Sequence, residues 1–140
     1  MLIDLPGMDA FSDDDMALLH DMIDAVSGTA VLVMPAGLDP AESAEIAERF
    51  HDAGATALIP SRLDLSRRLG GMVAAADAAP FILVEAGISG RIVNGLEPLT
   101  PGFLAGRLLG QHRKDIPAHA ASANRHTSTR SISGRAPNAA

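Results

Sequence analysis

Apolar residues in this chain fall into two kinds of block, and the blocks alternate. Residues 1–3, 29–37, 55–60 and 80–87 are nearly unbroken apolar runs of strand length, bounded by Asp, Pro and Gly. Continuous Val/Ile/Leu/Ala runs of this kind suit strands of a parallel sheet. Between them, apolar residues recur every three or four positions. Met16, Leu19, Met22, Ile23 and Val26 form one such stripe, and Ile46, Ala47 and Phe50 a second. Leu65, Leu69, Met72, Val73 and Ala76 form a third. Each stripe predicts a helix with one buried face.

Capping residues sharpen the helix ends. Ser12 stands before Asp13, Asp14 and Asp15, an acidic first turn that the helix dipole favours, and Gly28 follows as a stop. Asp39 precedes Pro40, with Glu42 three residues after the cap, and Gly54 closes that helix. Thr100 and Pro101 open a last helix that ends at Gly110. The third helix, expected over 65–79, contains Gly70 and Gly71. Each glycine costs roughly 1 kcal/mol against Ala in a helix interior, so the pair predicts that something packs very close.

The resulting order is β-α-β-α-β-α-β-loop-α. It predicts an α/β domain over residues 1–110, with a mainly parallel sheet of about four strands, right-handed crossovers and flanking helices. Ligands of such sheets bind outside the carboxyl ends of the strands. Here those ends fall at residues 4–7, 35–39, 60–64 and 85–90.

Composition and charge narrow the picture. The 140 residues are 47% hydrophobic, yet the only aromatics are four Phe, so aliphatic residues must build a modest core. The last thirty residues carry Arg113, Lys114, Arg125, Arg130 and Arg135 against Asp115 alone, a charge of +4. The whole chain is −6, which leaves −10 for residues 1–110. An acidic body argues against nucleic-acid binding. Residues 111–140 have little to bury and read as a disordered basic tail. There is no Cys, hence no disulfide and no thiolate metal site. No apolar run reaches the length of a membrane span, and no basic segment precedes a signal-peptide core. A cytoplasmic protein is expected.

Two loops invite chemistry. Asp4-Leu5-Pro6-Gly7 is a D-x-x-G sequence. It is either a simple turn or a place where a carboxylate and a glycine N–H meet a γ-phosphate and its Mg²⁺. Ser61-Arg62-Leu63-Asp64 follows the third strand. Asp64 either accepts two N–H bonds from a guanine edge or caps the next helix. His20, His51, His112, His119 and His126 are too scattered for a metal site, and Glu85 reads as a loop anchor. Arg67 and Arg68 read as a solvated helix face.

Taken together, these stretches resemble the C-terminal half of the GTPase domain of signal-recognition-particle GTPases, with the flagellar branch the nearest in pattern. "IDLPG" stands where the family has D-T-A-G-R, and "IPSRLD" where it has the guanine-reading T-K-x-D. "LEPLTPGFLAGRLLG" resembles the family's closing L-E-P-F-D-P-x-x-F-x-x-x-L-x-G. The resemblance implies a partial three-layer P-loop-like domain that binds GTP or GDP with Mg²⁺. It implies that Asp4 helps organise Mg²⁺ through water and that Gly7 faces the γ-phosphate. Arg62 would lie along the base, Asp64 would read guanine and Gly87 would sit in the loop covering it. Gly70, Gly71 and the turn Leu96-Glu97-Pro98 would pack against a helical N-domain. Protein targeting or flagellar placement would be the role, with membrane association only peripheral and through partners.

The departures bear on activity. Leu5, Pro6 and Met8 replace Thr, Ala and an Arg near the phosphates, Ser61 and Arg62 replace Thr and Lys, and the guanine loop lacks G-x-G-E. No G-x-x-x-x-G-K-[ST] occurs anywhere in the chain, so the phosphate cradle and a central strand are missing. The expectation is a GTP-binding remnant without catalytic residues, the C-terminal piece of a longer or split reading frame. The alternatives are a non-enzymatic interaction module whose sheet pairs with another chain, such as one supplying the P-loop half, and an unrelated α/β ligand-binding domain.

Overall fold

Parallel strands cannot be joined by a tight turn, so each pair needs a crossover, usually helical. The computed structural model, which describes residues 1–110, has two in succession. They run β1 (Ala30–Pro35), α2 (Pro40–Asp52), β2 (Ala55–Ser61), α3 (Gly70–Ala78) and β3 (Ile82–Leu83). The sheet order is β1-β2-β3, all parallel. Both crossovers step the same way, so equal handedness puts both helices on one face. There α2 and α3 pack on each other. They enclose a core of Leu32, Met34, Ala47, Ala55, Leu58, Ala75 and Ala79, with Phe50 and Phe81 at its margin. Residues 1–110 are thus mixed α/β, with three parallel strands rather than about four. The expected tail lies outside the described residues.

A bulge sets which face is buried. Ala30 pairs with Ala55 but Val31 pairs with Ala57, so Thr56 is an extra residue on β2. Period-2 alternation alone would turn Ala55 and Leu58 to opposite faces; the inserted residue resets the phase and both reach the core. Val31, Val33 and Ile82 then share the other face with Ala57 and Ile59, and all three are exposed. That face is open.

The first residues correct an expectation. Residues 1–9 form no strand, and Met1, Leu2 and Ile3 are exposed. The segment is held elsewhere. Leu5 and Met8 pack on Met16, Leu19 and Ala53, and Asp9 N–H donates to the Asp15 carboxylate at 2.8 Å. These ties commit it to α1 (Asp13–Val26) and to the C-terminal end of α2, leaving residues 1–4 without a partner strand. Arg49 of α2 secures the same corner by donating to the Ala10 carbonyl and to Asp13. The Ser12 hydroxyl caps α1 as expected, accepting from Asp15 N–H at 3.2 Å.

The run 80–87 also divides. β3 ends at Leu83, and β4 (Glu85–Gly87) pairs antiparallel with β5 (Leu96–Pro98). The cause lies in β2. Val84 N–H donates to the Leu58 carbonyl, and the next rung of a parallel ladder would need an N–H from residue 60. Pro60 has none. The Val84 carbonyl accepts from Leu99 N–H at 3.1 Å instead, and the chain turns toward β5. Leu96-Glu97-Pro98 is therefore a short exposed strand rather than a turn. α4 (Pro101–Leu108) follows, its N–H of Phe103 capped by Thr100, and it packs Phe103 and Leu104 on Leu63, Leu69 and Met72.

Finally, α3 begins at Gly70 rather than at 65. Its glycines occupy the first two helical positions, where the interior penalty does not arise. Leu65 and Val73 are exposed, whereas Leu69 and Met72 are buried. The close approach comes from this chain itself. A Cβ on Gly71 would lie 2.5 Å from the Leu38 carbonyl oxygen and 2.7 Å from Ser43 Oγ. We expect Gly71→Ala to destabilise the fold by about 1–3 kcal/mol, as overpacking does. Gly106→Ala, inside α4 and with nothing within 4 Å of the new methyl, raises stability by up to about 1 kcal/mol. Urea unfolding of both variants checks the contrast.

Candidate functional site

The carboxyl edge of the sheet is built by two loops that lean on each other. After β1 come Ala36, Gly37 and Leu38; after β2 comes Arg62. Ala36 N–H donates to the Ser61 carbonyl at 2.9 Å and carries the pairing past the strand ends. Arg62 then takes the left-handed conformation, φ 58°. This breaks strand alternation, so that Leu63 turns into the core and is 2% exposed. The Arg62 carbonyl closes the turn, accepting from Leu65 N–H and Ser66 N–H at 3.1 Å each and from Ser66 Oγ at 2.8 Å.

The loop is also tied sideways to β4. Leu63 N–H donates to the Gly87 carbonyl at 2.8 Å, and a Cβ on Gly87 would lie 3.2 Å from Ser61 Cα. Arg62, Asp64 and Gly87, expected to share a site, therefore lie within one connected loop cluster. Asp64 does not cap α3. The N-cap is Leu69, which offers no side-chain acceptor. Asp64 is exposed and makes no hydrogen bond or ion pair among the described residues.

Between the loops opens a cleft of about 550 Å³. Pro35, Gly37 and Leu38 line one side; Arg62, Leu65, Ser66, Arg67 and Arg68 line the other. The Gly37 Cβ position is 2.9 Å from Ser66 Oγ, so glycine there keeps the loops close. Arg67 and Arg68 were expected on a solvated helix. They belong instead to the irregular stretch before α3, and a signal for them existed: three arginines within seven positions of an acidic chain.

Other expected residues lie apart. Asp4 and Gly7 belong to the segment packed on the Ala53 cluster, at the amino end of β2. β2 has seven residues and, at roughly 3.3 Å each, separates that end from Arg62 by about 20 Å. The structure does not bring Asp4 and Gly7 to the loop cluster. No group of three or more His, Asp or Glu gathers to hold a metal ion among the described residues. Gly70 is exposed beside Pro40, Gly71 is covered by α2, and Leu96, Glu97 and Pro98 are exposed. His51 has a structural place, its Nδ1 3.0 Å from the Ala55 carbonyl and its ring edge-on to Phe81. No helix of the described residues is long and apolar enough to cross a membrane.

No family model matches the sequence, and no curated protein matches it at a significant level.

A left-handed conformation costs a non-glycine residue roughly 1–2 kcal/mol. Arg62→Gly is therefore expected to raise stability by about 1 kcal/mol, and Arg62→Val, branched at Cβ, to lower it by about as much. Thermal unfolding of the two variants reads both signs.

Proposed function

We propose that this chain is a guanine-nucleotide-binding protein of the signal-recognition-particle GTPase type, nearest the flagellar branch, cytoplasmic and impaired in hydrolysis. The observation that carries the reading is the junction of Arg62, Asp64 and Gly87 through the Leu63–Gly87 hydrogen bond. It joins the loop proposed to read guanine to the loop proposed to cover it. In this reading the exposed Asp64 carboxylate accepts from the N1–H and 2-amino group of guanine, and the Arg62 side chain lies against the base. The ligand is GTP or GDP with the Mg²⁺ its phosphates carry. The complete domain would be P-loop-like, with a further central strand and a second helical layer. The sequence contains no G-x-x-x-x-G-K-[ST], the loop that holds the β- and γ-phosphates in such proteins, and Asp4 and Gly7 stand at the other end of the sheet. Guanine-end contacts alone give weak binding and no hydrolysis.

Titration with a fluorescent GDP analogue tests this. The expected Kd is about 0.1–1 mM, with guanine favoured over adenine. Asp64→Asn weakens GDP about tenfold or more, the range of a charge-assisted hydrogen bond, and leaves ADP unchanged. Equal binding of GDP and ADP would sink the guanine reading, and a Kd near 1 µM would sink the claim that the missing cradle matters.

A second reading has its own support. Val31, Val33 and Ile82 leave one face of the sheet exposed, and β1 has no partner on its outer edge among the described residues. In this reading the chain is a non-enzymatic module whose sheet is completed by another chain, such as one supplying the P-loop half. Light scattering on the eluting protein is the check. A monodisperse monomer that unfolds cooperatively rules out a required partner.

A further inference from the structure

We propose that the cleft between the β1–α2 and β2–α3 loops binds a small molecule bearing a phosphoryl group. Arg62, Arg67 and Arg68 hold its oxyanion, and Pro35, Leu38 and Leu65 support its body. The inference stands apart from the guanine reading: it assigns no part to Asp64, and it gives the Arg62 side chain to the oxyanion rather than to the base.

Charge placement is the main argument. The described residues contain six arginines, no lysine and sixteen carboxylates, yet three of the six arginines line this one cleft. None of the three is neutralised. The arginine–carboxylate ion pair of the described residues, Arg49–Asp13, lies elsewhere, as does the close pair His20 and Asp24. Two carboxylates lie nearby in sequence. Asp39 is engaged at the start of α2, accepting from Ala41 N–H at 2.9 Å and Glu42 N–H at 3.3 Å. Asp64 is exposed, with no partner among the described residues. A dianion in the cleft meets three guanidinium groups that no carboxylate pairs with among the described residues. Guanidinium matches phosphate bidentately.

Position and size agree. The cleft lies outside the carboxyl ends of β1 and β2, where open parallel sheets take their ligands. Its volume, about 550 Å³, has room for a small molecule, and the cleft is open to solvent on one side. α3 begins two residues beyond Arg68 without a side-chain cap, and its positive end adds to the local potential. One wall is apolar, so the ligand class is a phosphate or pyrophosphate joined to an uncharged organic group.

The test is ¹⁵N NMR titration of the full chain with pyrophosphate at fixed ionic strength. The expected result is saturable shifts in amides of residues 36–38 and 62–70. Arg67→Gln/Arg68→Gln weakens binding about tenfold or more, and Arg91→Gln, an exposed residue outside the cleft, leaves it unchanged. Arg67→Lys/Arg68→Lys keeps the charge but loses the fork, and weakens binding by a smaller factor. Shifts confined to residues 111–140, an equal loss in Arg91→Gln, or binding only to anionic phospholipid vesicles overturns the proposal. Asp64→Asn separates the two readings. It retains pyrophosphate binding here, whereas it loses guanine preference there. Preferential GDP binding that ignores Arg67→Gln/Arg68→Gln overturns this proposal alone.

Discussion

Gly71 lies where the Leu38 carbonyl and the Ser43 hydroxyl leave no room for a side chain. Much of the fold hangs on that approach. α2 and α3 each connect neighbouring strands, so their spacing fixes how both crossovers lie over the sheet. The contact also seals Ser43, whose Oγ is buried without a hydrogen-bond partner. A lone buried hydroxyl costs roughly 1–3 kcal/mol. The same approach places Leu38, at the mouth of α2, opposite the loop that leads into α3, and the cleft is the gap left between them.

The carboxyl edge is shaped by two residues of one strand end. Pro60 withholds an N–H and so ends the ladder to β3, which frees the Val84 carbonyl for Leu99 and lets β4 turn toward β5. Arg62, two residues on, reverses the chain and sends Leu63 inward. With Leu63 buried and its N–H on the Gly87 carbonyl, the polar residues on either side of it are left at the surface. A strand that simply ran on would have offered neither the turn at Arg62 nor the link to Gly87.

How much of this was legible varies with the range of the interaction. α1, α2 and α4 and their caps at Ser12, Asp39 and Thr100 were readable, because a cap is decided within four residues. β1 and β2 were readable as apolar runs between turn residues. Residues 1–4 look no different, but a strand needs a neighbour, and Leu5 and Met8 are held by a cluster that includes Ala53, far along the chain. Leu65 has helical spacing and is nonetheless exposed, because the turn on the Arg62 carbonyl competes for that stretch. For the same reason Arg67 and Arg68 were assigned to a solvated helix. Arg62, Asp64 and Gly87 were expected together because the family resemblance assigned all three to guanine, and their loops follow strands on one edge. Asp4 and Gly7 were foreseen with them only through a strand that does not form.

β1 has its own consequence. Its six residues, Ala30–Pro35, carry no charge, and among the described residues nothing pairs with its outer side. Edge strands are usually guarded by a charged side chain, and here none is present on the strand itself. The guard is global instead: the whole chain carries −6, so two copies repel as they approach. Repulsion of that kind acts over about 10 Å at 0.1 M salt and shrinks as salt rises, while backbone pairing is indifferent to it. Dilute buffer therefore protects this protein, and added salt weakens that defence while the open edge of β1 stays as it is.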